Sequence, residues 1–147
     1  MSGSRDPADL DPSLQQLAQQ FLEQCAAAGI EALLTVTYRS AEEQDVEYAK
    51  GRTEPGPRTT NAQGGQSPHN CVLPDGTPAA LAFDFALFAD DGKRLDWDGD
   101  DQRWQTAIKI GEGLGLISGA TFPGHLCDRD HLELKGWNSP EQTPQNT

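Results

Sequence analysis

The run Leu81-Ala82-Phe83-Asp84-Phe85-Ala86-Leu87-Phe88 limits the fold of this chain more than any other stretch. Leu81, Phe83, Phe85 and Leu87 alternate with Ala82, Asp84, Ala86 and Phe88, and this period of two predicts a strand. One face is broad and apolar and must be covered by other elements. The opposite face sets a single carboxylate between two small alanines, on a partly buried floor. An unpaired charge there is costly, and an isolated Asp84 would sooner take up a proton. It therefore needs a partner.

The sequence before and after the run supplies the covering elements. Leu14, Leu17, Phe21, Leu22, Cys25 and Ala28 fall on one helical stripe, with Pro12 suited to the first turn and Gly29 to the stop. "IEALLTVTYR" predicts a strand ending at Arg39, and Ser40 with Glu43 has the form of a capping box opening a short second helix. Residues 51–66 hold four glycines and two prolines with almost nothing apolar, so they form a long loop. After Phe88, "ADDGK" predicts a turn into "RLDW", as a hairpin. Trp104, Ala107, Ile108 and Gly111 recur with helical spacing, and "LGLIS" and "HLELKGW" predict two further strands. In the last of these, His131 and Glu133 share one face.

With 147 residues the chain makes one domain. Residues 11–137 form its body, while 1–10 and 138–147 are polar and expected to fray. Lys and Arg total 11 against 23 acidic residues, and the net charge of -12 argues against nucleic acid or anionic membrane as a partner. No apolar stretch reaches the roughly 20 residues of a membrane span, and "MSGSRDPADL" lacks the plan of a signal peptide. The chain is expected to be a monomer made in the cytoplasm. Cys25, Cys71 and Cys127 are an odd number without a close-spaced pair, which points away from a disulfide framework or a four-thiolate zinc site.

His69 arrives from the loop before the Asp84 strand and His131 from the last strand. Two imidazoles and a carboxylate with an open position for water are the donor set of catalytic zinc, whereas structural zinc is closed by four ligands. From these residues alone two alternatives stay open: a lone histidine is more often a surface or core residue, and Asp84 could simply pair with Arg39.

The blocks "TYRSAEEQDVEYAKGR", "TNAQGGQSPHN", "LAFDF" and "DRDHLELKGW" resemble, in order, those of the zinc peptidases that cut peptidoglycan stem peptides. That family groups D-alanyl-D-alanine carboxypeptidases and dipeptidases with endolysins that cleave L-alanyl-D-glutamate bonds. The likeness runs from Tyr38 to about Trp137, and its wording is nearest to the phage endolysin branch. It implies an α+β fold of the hedgehog and D-Ala-D-Ala-peptidase type, with a small antiparallel sheet, helices packed on one side and one zinc ion in a cleft. By position, His69, Asp84 and His131 resemble the zinc ligands and Asp128 the catalytic carboxylate, which takes a proton from water and later delivers it to the leaving amine. Arg39 resembles the active-site arginine, whose planar fork suits a substrate carboxylate or the developing oxyanion. Ser67 and Glu133 look like supporting or substrate-touching residues. Apart from the resemblance, His125 is a candidate transition-state donor lining the cleft, with an ordinary loop residue as the alternative. The implied substrate is the stem peptide, reached from inside the host cell after holin-type release into the periplasm. A D,D-carboxypeptidase or a zinc-holding domain without catalysis are the alternatives.

One departure stands out. The family spacing from His to Asp is seven residues, whereas here it is 15, with "VLPDGTPA" between. Asp75 lies nearer to His69, but Ala82-Phe83-Asp84 keeps the family's Ala-x-Asp inside a strand, and Asp75 sits in a Pro-Asp-Gly turn. Asp130 is an alternative base, and Cys71 and Cys127 are alternative soft ligands. "DWDGDD", Asp96 to Asp101, has an acidic look but lacks the glycine and glutamate of an EF-hand loop, and is expected to be a solvated turn.

Overall fold

The computed structural model describes residues 3–89, 92–97, 101–122 and 129–137. Within them lie helices α1 (Pro12–Ala27), α2 (Ala41–Ala49) and α3 (Gln102–Gly113) and strands β1 (Ala32–Val36), β2 (Ala82–Phe88), β3 (Leu95–Asp96), β4 (Leu116–Ser118) and β5 (His131–Leu134). The strands form one antiparallel sheet in the order β1-β2-β5-β4, with β3 on the same edge of β2 as β5. The fold is the expected α+β arrangement with a small antiparallel sheet.

The alternation in β2 divides the sheet into two chemistries. Phe83, Phe85 and Leu87 are buried against Leu14, Ala18, Phe21 and Cys25 of α1 and Trp104 and Ala107 of α3. Phe21 lies between the Phe83 and Phe85 rings at centroid distances of 5.5 and 4.9 Å, and Trp104 packs on Phe85 at 5.1 Å. Leu34, Leu116 and Leu132 extend the core across the neighbouring strands. The opposite face carries Asp84, His131 and Glu133.

Local signals set the ends of the elements. Asp11 caps α1 by accepting from the Ser13 amide at 3.0 Å. The helix stops where Gly29 turns left-handed (φ 79°) and Ile30 N and Gly29 N reach back to the Cys25 and Ala26 carbonyls. In α2 the capping box is present in both directions, Glu43 N to Ser40 Oγ at 3.0 Å and Ser40 N to Glu43 Oε1 at 2.9 Å. Helix α2 does not join the apolar layer, for its buried residues are Gln44 and Glu47. Instead it anchors the 51–66 loop. Gln44 Nε2 donates to the Ala62 carbonyl, Thr59 to the Glu47 carbonyl and Gly64 N to Asp45, while Arg52 stacks on Tyr48 and donates to the Thr60 carbonyl.

Two features differ from expectation. Strand β1 ends at Val36 rather than Arg39, because the pairing with β2 slips by one residue at Thr35: Leu34 faces Phe85 and Val36 faces Asp84. Residues 3–10, expected to fray, are tied down. Ser4 N donates to the Tyr38 carbonyl and Thr37 N to the Ser4 carbonyl, a 3-10 turn spans Pro7–Asp9, and Leu10 is buried. The expected fraying of 138–147 lies outside the described residues.

Candidate metal centre

Antiparallel pairing of β2 with β5 sets Asp84 directly opposite His131 and Ala82 opposite Glu133. Directly opposed residues share a face and bring their side chains within reach. Ala82 and Ala86, the same-face neighbours of Asp84 along β2, are small and fully buried. His69 comes from a separate element, the 3-10 turn Pro68–Asn70, where Ser67 Oγ accepts from His69 N at 3.2 Å.

The three side chains converge on one atom. Asp84 Oδ1 lies 3.1 Å from His69 Nε2 and 3.2 Å from His131 Nδ1. All three residues are buried, and each offers a ligand atom within 4.8 Å of the other two, so they could hold a metal ion. A tetrahedral zinc with bonds of about 2.0 to 2.1 Å places its ligand atoms roughly 3.3 Å apart, close to both spacings.

The far sides of the imidazoles strengthen the fit. His69 Nδ1 lies 2.8 Å from the Thr37 carbonyl, which can only accept, so the proton of this ring sits on Nδ1. Nε2 then points its lone pair at an Asp84 oxygen, and two lone-pair atoms at that distance need a positive charge between them, a proton or a metal ion. His131 Nε2 lies 2.8 Å from Glu133 Oε1, leaving Nδ1 for Asp84. A carboxylate or carbonyl behind each imidazole is how metal-binding histidines are oriented. The Phe122 ring, delivered by the turn after β4, lies 5.9 Å from that of His131.

The charges are strongly coupled. Burial alone would push the Asp84 carboxyl upward, but His69 and His131 override it and hold it well below the usual carboxylate range. Burial by itself would lower His131, yet the hydrogen bonds and charges of Asp84 and Glu133 raise it to about 10. In the metal-free protein a proton on His131 thus supplies the positive charge between two carboxylates. Because its folded value lies above its ordinary 6.5, His131 stabilises the metal-free fold fully below that pH and loses the effect as pH rises toward 10. Asp84, depressed from 3.8, acts in the opposite sense and loses its contribution on acidification. Calorimetry in chelator should therefore show Tm falling between pH 7 and 10, with a flatter slope for His131→Gln. Equal slopes would contradict this pairing.

The other expected residues fall as follows. Asp75 is exposed at a hairpin tip and accepts from Thr77 N at 2.9 Å. Residues 71–79 close on themselves, with Val72 paired to Pro78 and Ala79 N bonded to the Cys71 carbonyl, so the added residues between His69 and Asp84 leave and return at one place. Cys71 is buried, and burial pushes its thiol up to about 12, which suits an inert core residue rather than a soft ligand. Arg39 is buried, donates from Nη1 to Gln44 Oε1 at 3.2 Å, and bonds through its amide to the His69 carbonyl. Asp128, His125 and Cys127 lie outside the described residues, as do Asp98 to Asp100. Asp96 and Asp101 each pair with Arg103.

Among the residues that the sequence left without a role, Asn70 and Gln44 matter most. Asn70 Oδ1 accepts from Ser67 N and Gly65 N, and its Nδ2 donates to the Arg39 carbonyl at 2.8 Å. This side chain locks the turn that carries His69 against the segment that carries Arg39.

No family model matches the chain. It is 34% identical over 134 residues to the peptidoglycan L-alanyl-D-glutamate endopeptidase CwlK of Bacillus subtilis (strain 168), an alignment covering 87% of this chain and 75% of that protein. The chain belongs to the zinc peptidoglycan peptidase family. In this member of the zinc peptidoglycan peptidases, the buried His69-Asp84-His131 group lies on the sheet face opposite the apolar core. No helix among the described residues is long and apolar enough to cross a membrane.

Proposed function

We propose that the chain is a zinc metallopeptidase that hydrolyses the L-alanyl-D-glutamate bond of the peptidoglycan stem peptide, in the manner of a phage endolysin. The observation that carries this reading is the convergence of His69, Asp84 and His131 on one buried face, in a chain related to an enzyme named for that bond. Zinc held there would supply Lewis acidity toward the scissile carbonyl and ease proton loss from water near neutral pH. Asp128 is the general base, accepting the water's proton and passing it to the leaving amine. Arg39 binds a substrate carboxylate or the oxyanion, aimed by Gln44. Glu133 and Ser67 orient His131 and His69, and His125 is assigned a supporting role in transition-state stabilisation. The enzyme acts on the wall after holin-type release.

Mass spectrometry of muropeptides after digestion tests the reading. A new N-terminal D-glutamate is the expected product, loss of a terminal D-alanine would mark a D,D-carboxypeptidase instead, and no cleavage by the zinc-loaded protein would leave a binding domain. Arg39→Lys should keep Tm within a few degrees while cutting kcat/KM at least about tenfold, because an ammonium cannot reproduce a bidentate contact. Near-normal turnover in that variant would reduce Arg39 to a structural partner of Gln44.

A further inference from the structure

Thr37 has three polar backbone or side-chain groups, and all of them are committed. Its carbonyl accepts from His69 Nδ1 at 2.8 Å, its N–H donates to the Ser4 carbonyl at 2.6 Å, and its hydroxyl donates to the Asp6 carbonyl at 2.8 Å. The residue is fully buried and lies just past the end of β1, so no strand ladder serves its amide. Among the described residues, the segment Gly3–Asp6 does.

We infer that Gly3–Asp6 is a strap that positions His69 through Thr37, so that the strength of metal binding depends on how this segment sits on the end of β1. The inference rests on the metal-site reading above. The strap is anchored through Ser4. Ser4 N bonds to the Tyr38 carbonyl at 2.7 Å, and Ser4 Oγ donates to Asp9 Oδ2 at 2.6 Å. Further on, Asp9 and Asp11 bond to Ala80, two residues before β2, and Leu10 is buried. The strap thus joins the segment that orients His69 to the approach of the strand that carries Asp84. Freed of it, the amide and hydroxyl of Thr37 would lose the partners that fix the orientation of this peptide, and turning of the peptide would move the acceptor that fixes the His69 tautomer. His69 would then no longer present Nε2 reliably toward Asp84.

Gly3 makes the inference testable without touching the site. It has φ 124°, and a Cβ there would lie 3.0 Å from both the Tyr38 carbonyl oxygen and Val36 Cγ1. Gly3→Ala should therefore lift the strap. In the full chain, Gly3→Ala and Thr37→Val are each expected to weaken zinc binding by about 10- to 100-fold, the usual effect of losing a partner behind a ligand. They should also speed exchange of the His69 Nδ1–H proton seen by NMR in metal-free protein. Phe21→Leu, which loosens the core far from the strap, serves as the control at matched loss of Tm. If Phe21→Leu weakens zinc binding as much, or if the strap variants leave both affinity and proton exchange unchanged, the strap has no positioning role. A wild-type chain that takes up no zinc would overturn the metal-site reading, while the His69 proton in metal-free protein would still decide the strap.

Discussion

Asp84→Ala is expected to abolish zinc binding and, with it, all peptidoglycan cleavage. Elemental analysis should find one zinc per chain in the wild type and close to none in the variant. Asp84 Oδ1 is the atom on which both imidazoles converge, and two neutral ligands on a buried face hold a divalent ion far more weakly than two plus a carboxylate. Its loss also strands His131 between Glu133 and an apolar hole. His69→Ala and His131→Ala should behave alike. Asp75→Ala is the counterpart, since that carboxylate is exposed and bonds within its own turn, and zinc content should stay at the wild-type level. The reverse pattern, metal lost with Asp75 and kept without Asp84, would mean that the ligand had been assigned to the wrong side of the 71–79 hairpin.

The second large effect is expected at Asp128. Asp128→Ala should retain zinc and fold while turnover falls by about 10² to 10⁴, the range that acid-base catalysis contributes. Asp130→Ala is the companion experiment. The Asp130 carbonyl accepts from Phe85 N at 2.9 Å, so its backbone already belongs to the β2–β5 ladder one step before His131. Neighbouring positions in a strand face opposite sides, which sets the Asp130 side chain apart from the face of His131. Zinc content and muropeptide cleavage measured together separate the roles: full activity in Asp128→Ala would remove it as the base.

What was legible in the sequence was what leaves a periodic or positional trace. The two-residue alternation of β2, the helical stripe of α1 and the Ser40–Glu43 capping box each follow from side-chain spacing alone, and each is present. The core face and the polar face of the sheet were likewise written in the alternation around Asp84. Three things left no such trace. The one-residue slip at Thr35 ends β1 early, and nothing in "LLTVTYR" marks it, because every residue there suits a strand. The segment 3–10 is polar and reads as loose, yet it is held by backbone hydrogen bonds, which any sequence can make. The eight added residues before Asp84 are harmless for a reason only pairing shows: Val72 meets Pro78, and the chain resumes where it left. Asn70 and Gln44 were hidden for a related reason. Amide side chains bridge segments distant in sequence, and their partners are mostly main-chain atoms.

The pairing of Asp84 with His131 also bears on the order of events as the chain folds. The two are separated by 47 residues, and their contact exists only once β5 has docked against β2. Closing so distant a contact is among the slower steps available to a small domain, because loop-closure entropy is lost before the pairing repays it. A metal ion can then find its full donor set only near the end of the process. In stopped-flow refolding with a zinc indicator, uptake of the ion should lag the burial of Trp104 rather than accompany it, and raising the zinc concentration should slow unfolding far more than it speeds folding. The ion would act as a latch on a finished sheet, not as a seed for it.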